Sequence, residues 1–277
     1  MNFKKENKKN KIMICQIALI IIAMICGFIV WKQTRVEELP KKPGIVKYKD
    51  NIKEKGTTVE NPIDFDAYWQ INADVYAYIY LADSEIDYPI LQHAEQDDYY
   101  LNHTIDNMEV YPGSIYTEKI NAKDFNDPNT IIYGHNMVAN KTMFNAITRY
   151  SDSAYLKSHH VFYIYTPSQI LQYEVFAAYE TDNAHLMYQY QYDDASSFQQ
   201  FLNDVKNKDN VVLNDNIDVT TKDTIVTMST CSESGVDNRY VVHAVLKNKI
   251  DCTYKHSTKV DKDLGTFENM KKADIVE

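Results

Sequence analysis

TIVTMSTCSESGVDNRYVVHAVL, residues 224–246, is the stretch from which the rest of the chain can be read. Residues 224–230 and 240–246 are rich in β-branched side chains, and both runs read as strands. The residues between them, Ser232 to Asn238, have loop composition. Two antiparallel strands joined by such a loop bring Cys231 and Arg239 side by side at one rim. A cation beside a thiol favours the thiolate, the nucleophilic form. It can also neutralise charge that develops on the oxygen of an attacked carbonyl. The plain alternative is a small core thiol next to a surface charge, and the Cys-x7-Arg spacing does not by itself choose between the two.

Working outward, the next informative stretch is TIIYGHNM, residues 130–137. It reads as a strand that ends at His135 and passes into a loop at Asn136. A lone histidine at a strand end is ordinarily structural, so it gains meaning only if a second reactive group points to the same place. Further strands are expected at 78–81, 86–91, 113–117, 161–166 and 170–179, the last two joined by a turn at Pro167-Ser168. Residues 62–75 and 143–150 read as helices, and DDYYL (97–101) as a helical turn. The clearest amphipathic helix is 194–207, with Phe198, Phe201, Leu202 and Val205 on one face. Many short strands with inserted helices predict a mainly β chain folded as a closed, mostly antiparallel barrel.

Taken together, Tyr133-Gly134-His135-Asn136-Met137, Thr227-Met228-Ser229-Thr230-Cys231 and Arg239-Tyr240-Val241-Val242-His243 closely resemble the sortase family of cysteine transpeptidases, class B most of all. The resemblance runs from about Asn61 to Leu246. It takes in Asp87-Tyr88-Pro89-Ile90, Tyr99-Tyr100-Leu101-Asn102-His103 and Gly113-Ser114-Ile115-Tyr116. It implies a sortase-type closed eight-stranded β-barrel with N-terminal helices and an extra helix before the Cys strand, where 194–207 falls. It implies Cys231 as nucleophile, His135 as proton carrier, and Arg239 with the backbone N–H of Ser232 as oxyanion partners. Leu101, Tyr133, Ser229 and Asp97 are then expected to meet substrate. The partners implied are surface proteins carrying a C-terminal sorting motif of the LPXTG or NPXTN type and an amine of the peptidoglycan precursor. Two departures stand out. Asp97 stands where relatives often have Asn, and Tyr76-Ala77-Tyr78-Ile79 replaces an expected Gly-Trp-Ile pattern.

The flanks suit that reading. Residues 12–31, IMICQIALIIIAMICGFIVW, carry no charge, and about 20 apolar residues cross a hydrocarbon core of roughly 30 Å. A cleaved secretory signal is the alternative, but the run ends Phe28-Ile29-Val30-Trp31 with no small-residue cleavage site. Lys4, Lys5, Lys8, Lys9 and Lys11 precede it. The expected layout is a cytoplasmic basic tip (1–11), a single-pass membrane anchor (12–31), a stalk (32–61), an extracellular catalytic domain (62–255) and a charged tail (256–277).

The formal net charge of -10 over 277 residues makes the body a poor nucleic-acid partner. No C-x-x-C, H-E-x-x-H or phosphate-cradling glycine loop appears, so no metal and no cofactor are expected. Of the four cysteines, Cys15 and Cys26 fall inside the apolar run. Cys231 and Cys252 do not, and in an extracellular domain they could form a disulfide. A tethered binding module built on that bond is one rival reading. A papain-like peptidase is another, although such enzymes place Cys before His in the chain.

Overall fold

The computed structural model describes residues 59–232 and 237–254, together with Met24. Met24 belongs to a separate unit, Met1–Leu39, and everything else described lies within Pro40–Glu277. The strands are β1 (Val59–Glu60), β2 (Val75–Tyr80), β3 (Asp87–Leu91), β4 (Ile115–Thr117), β5 (Asn129–Tyr133), β6 (Asn136–Met137), β7 (Thr142–Met143), β8 (Val161–Tyr165), β9 (Gln169–Asp182), β10 (Val212–Leu213), β11 (Ile225–Cys231) and β12 (Asn238–Thr253). The α-helices are α1 (Phe65–Ile71), α2 (Ser153–Ser158), α3 (Leu186–Gln189) and α4 (Ala195–Lys206).

Eight strands close on themselves in the order β12-β11-β5-β4-β3-β2-β8-β9, with β9 returning to β12. Closure matters because it leaves no barrel strand with an unpaired edge. Six of the eight contacts are antiparallel; β5–β11 and β3–β4 are parallel. The short strands β1 and β10 lie outside the ring, on β12 and β9. Inward-pointing Ile79, Ile90, Ile132, Phe162, Met228 and Val242 fill the barrel.

Helix α4 forms as its sequence predicts. Asp194 caps it by accepting from Ser197 N at 2.8 Å. Its buried face, Phe198, Phe201, Leu202 and Val205, packs on the outer barrel wall against Ile131, Phe176, Ile225 and Val241. Each such side chain contributes about 1.5–3 kcal/mol on burial. The departure at Tyr76 is a packing matter. Its ring stacks on Phe125 at 5.6 Å and its hydroxyl bonds to Thr117 Oγ1 at 2.8 Å.

Three boundaries differ from expectation. The folded body begins earlier than 62, because β1 pairs with the end of β12 and the Asn61 amide donates to Thr166 O at 2.7 Å. The helix expected over 143–150 is present as a 3-10 helix, Asn145–Ser151, shifted because Met143 ends β7. Buried Phe144, Ile147 and Tyr150 recur every three residues, which suits a 3-10 turn. Strand β12 continues to Thr253, past the expected end at 246. The first part of this extension, Lys247-Asn248-Lys249, is polar, and the extension is held by pairing with β9 and, at its end, with β1, where Ile250 and Cys252 pack on a second apolar cluster. The expected tail falls outside the described residues, as do the anchor, save for Met24, and the stalk, save for residues 59–61. Among the described residues no helix is long and apolar enough to cross a membrane.

Under α4 lies a buried imidazole that the catalytic reading does not use. The Thr227 hydroxyl donates to Asn129 Oδ1 at 2.9 Å, so it must accept from His243 Nδ1–H at 2.8 Å. Nε2 then accepts from the Tyr179 hydroxyl at 3.1 Å. Burial first, and the Lys208 charge second, push His243 down to about 3. The unfolded chain takes up this proton near pH 6.5, well before the folded chain does. The stability tied to His243 is therefore complete above pH 6.5 and drains away as pH falls towards 3. We expect this one group to cost about 2 kcal/mol between pH 6.5 and pH 5. Urea unfolding at both pH values, in the native chain and in His243→Gln, measures it. An equal pH slope in the two proteins would refute the assignment.

Candidate active site

Alternation along β11 sends Val226 and Met228 into the barrel and leaves Ile225, Thr227, Ser229 and Cys231 on the outer face. The same alternation puts Arg239, Val241, His243 and Val245 outward on β12. In the β11–β12 ladder Cys231 stands directly opposite Arg239. Opposed residues of an antiparallel pair hold their Cβ atoms about 4.5–5.5 Å apart, so thiol and guanidinium are neighbours. The hairpin expected from residues 224–246 delivers this pair.

His135 arrives from the other side. Its strand, β5, runs parallel to β11, and Tyr133 is in register with Ser229. Beyond Tyr133 three hydrogen bonds hold the histidine-bearing turn to the cysteine strand. Gly134 N donates to Ser229 O (3.2 Å), the Thr230 hydroxyl to Gly134 O (2.7 Å) and the Asn136 amide to Cys231 O (2.9 Å). Asn145 fixes Asn136 in turn by donating to its Oδ1 at 2.7 Å. Position 134 has no room for a side chain: a Cβ there would sit 2.4 Å from Ile115 Cδ1 and 2.9 Å from the Phe144 ring. Asn136, Thr230 and Asn145 are functional in this positioning sense, and sequence reasoning did not single them out.

The imidazole is oriented by backbone. His135 Nε2–H donates to Leu101 O at 2.9 Å, so a neutral ring keeps its lone pair on Nδ1. The Tyr111 ring packs edge-on against it at 4.6 Å. Burial lowers the His135 pKa; the Leu101 bond opposes this and the Arg239 charge adds to it. The imidazole therefore favours its neutral form more than a solvated histidine does.

Cys231, His135 and Arg239 line one open cleft of about 220 Å³. Three of the residues expected to meet substrate, Leu101, Tyr133 and Ser229, line it as well. Asp97 stands apart: it accepts from Lys119 N at 2.9 Å, pairs with the Lys119 ammonium at 3.6 Å and is no part of the lining. The Ser232 N–H, expected to serve an oxyanion, donates to Asn238 O at 2.9 Å across the hairpin. Tyr188 lies in α3, and Tyr190 and Tyr192 pack on α4, where each meets Phe201 at 5.2 Å.

The two sulfurs outside the apolar run are both free, so the disulfide-built module has no support here. They differ in setting. Cys252 lies near the far end of β12, and burial pushes its thiol up to about 11. Cys231 shares its cleft with an imidazole and a guanidinium.

The family model for the sortase domain matches residues 79–247. The chain belongs to the sortase family. Its relatives are of class B. Sortase B of Listeria monocytogenes is 36% identical over 162 residues, covering 58% of this chain and 64% of that protein. Sortase B of Staphylococcus aureus is 28% identical over 228 residues, 82% of this chain and 91% of its own length. The 2.0 Å crystal structure of the S. aureus enzyme superposes with a TM-score of 0.61 at 31% identity, over 69% of this chain and 89% of that one. Sortases are cysteine transpeptidases, and the thiol, imidazole and guanidinium of this cleft are the side chains such chemistry needs.

Proposed function

We propose that this class B sortase cuts a C-terminal sorting motif of the LPXTG or NPXTN type after its Thr and joins the acyl fragment to an amine of the peptidoglycan precursor. The observation that carries the reading is the convergence of Cys231, His135 and Arg239 on one cleft at the outer rim of the barrel. Two solved relatives support the coarser part: S. aureus sortase B has been captured with a substrate, and a sortase B with triglycine.

The steps follow from the groups at hand. Neutral His135 takes the thiol proton, and Cys231 Sγ attacks the carbonyl carbon of the motif Thr. The carbonyl oxygen gains negative charge and is met by the Arg239 guanidinium. As the intermediate collapses, the C–N bond breaks and the imidazolium gives its proton to the departing amine. A thioester remains. The acceptor amine attacks it, loses a proton to His135 and displaces Sγ, which restores the enzyme. The thioester conserves the energy of the cleaved peptide bond, so the reaction consumes no nucleotide.

In this proposal the apolar segment 12–31 holds the enzyme in the cell membrane. The lysine-rich tip faces the cytoplasm and the barrel faces outward. Exported substrates and lipid-linked precursor then meet at a raised effective concentration.

The direct test is incubation of the protein with a panel of sorting-motif peptides, followed by acid quench and mass analysis. We expect cleavage between Thr and the next residue, and a Cys231 adduct with the mass of the acyl fragment. Added triglycine should convert that adduct to a joined product. Scission at any other bond, or turnover with no adduct on Cys231, would overturn the proposal.

A further inference from the structure

Beside the reactive trio, the cleft lining holds a carboxylate–imidazole pair. Glu118 follows β4 and faces outward with Tyr116, the residue in register with Tyr133. Its side chain is only 11% exposed. His185 lies 67 positions further along the chain, in the segment 183–186 that runs from the end of β9 into the first residue of α3, and all four residues of that segment line the cleft. His185 Nε2–H donates to Glu118 Oε1 at 2.7 Å. The segment's other anchors are weaker or belong to its own side of the cleft. Asn183 reaches Asp237 Oδ1 at 3.4 Å, Ala184 N donates to Asp182 Oδ1 at 3.0 Å, and Tyr192 OH donates to Leu186 O at 3.1 Å.

A nearly buried carboxylate demands a donor, and His185 supplies one from a segment otherwise seated by Leu186 in the outer-wall cluster. We infer that Glu118 and His185 form a tether that fixes segment 183–186 as a wall of the substrate cleft, making them positioning residues for the bound peptide. The inference rests on the transpeptidase reading above. Neither residue touches the reacting atoms. The tether therefore acts by sparing the bound peptide the cost of ordering its own wall, which belongs in KM and not in kcat. The two groups also answer each other electrostatically: burial raises the Glu118 carboxyl, and the His185 charge and hydrogen bond pull it back.

The experiment compares the full chain with His185→Ala, His185→Gln and Glu118→Gln. It measures kcat and KM on a cleaved sorting-motif peptide and amide hydrogen exchange across 183–187. We expect His185→Ala to raise KM roughly 5- to 30-fold with kcat within about twofold of the parent. Exchange in the segment should quicken. His185→Gln keeps an N–H donor and Glu118→Gln keeps an acceptor oxygen, so both should stay close to the parent in KM and exchange. Unaltered exchange in His185→Ala overturns the tether. A fall in kcat at constant KM overturns the positioning role. A parent chain that cleaves no peptide at all defeats the transpeptidase reading instead.

Discussion

Alanine at position 231 is expected to abolish peptide turnover while the barrel stays folded. In the proposed mechanism the sulfur carries the acyl fragment, so its loss removes the covalent route entirely. Neither His135 nor Arg239 can compensate, since each acts on an intermediate that no longer forms. Loss of a nucleophile that works as a unit with its partners costs on the order of 10⁴-fold or more in kcat. Cys231 is half-buried at a strand end and belongs to none of the apolar clusters, so its removal leaves core packing intact. Chromatographic assay of peptide cleavage, beside thermal unfolding of both proteins, checks the two halves of the claim. Equal turnover by Cys231→Ala and the parent would remove this residue from the mechanism.

The second large effect is expected at Arg239. Removing one preorganised oxyanion donor lowers kcat by about 10²–10³-fold, or roughly 2.7–4 kcal/mol. In the proposed mechanism Arg239→Ala should fall within that range. Arg239→Lys keeps the charge but loses the planar fork, and should land between the two. The substitution has a further signature. The Arg239 charge contributes to the lowered pKa of His135. Without it the imidazole holds its proton to higher pH, so the acidic limb of the kcat/KM profile should move upward. Unfolding of the alanine variant at parental temperature with an unshifted profile and near-parental kcat would leave the oxyanion role without support.

Much of the site was legible because local chemistry announces it. Residues 224–246 combine two β-rich runs with a polar loop, and a hairpin of that length sets Cys231 against Arg239 whatever else the chain does. Helix α4 was legible for the same reason, since Phe198, Phe201, Leu202 and Val205 share one face by spacing alone. The misreadings also have causes. The 3-10 helix at Asn145–Ser151 shares its three-residue apolar recurrence with an α-helix. The run Lys247-Asn248-Lys249 interrupts the apolar pattern of β12 before Ile250 and Cys252 resume it. Asp97 sits in a matching motif, yet it turns to Lys119 and not to the cleft.

The amino-acid order alone settles the elements whose signals are short-range: the amphipathic faces, the loop between β11 and β12, and the pairing of a thiol with a guanidinium eight positions away. It carries no comparable signal for contacts made across the chain. Asn136 meets the Cys231 carbonyl from 95 positions away, and His185 meets Glu118 from 67. Those meetings exist because the barrel closes. Every strand carries the same donors and acceptors, and only the requirement that each buried backbone group find a partner in one closed ring selects β5 as the parallel neighbour of β11. Once that choice is made, the histidine has nowhere to stand except beside the cysteine.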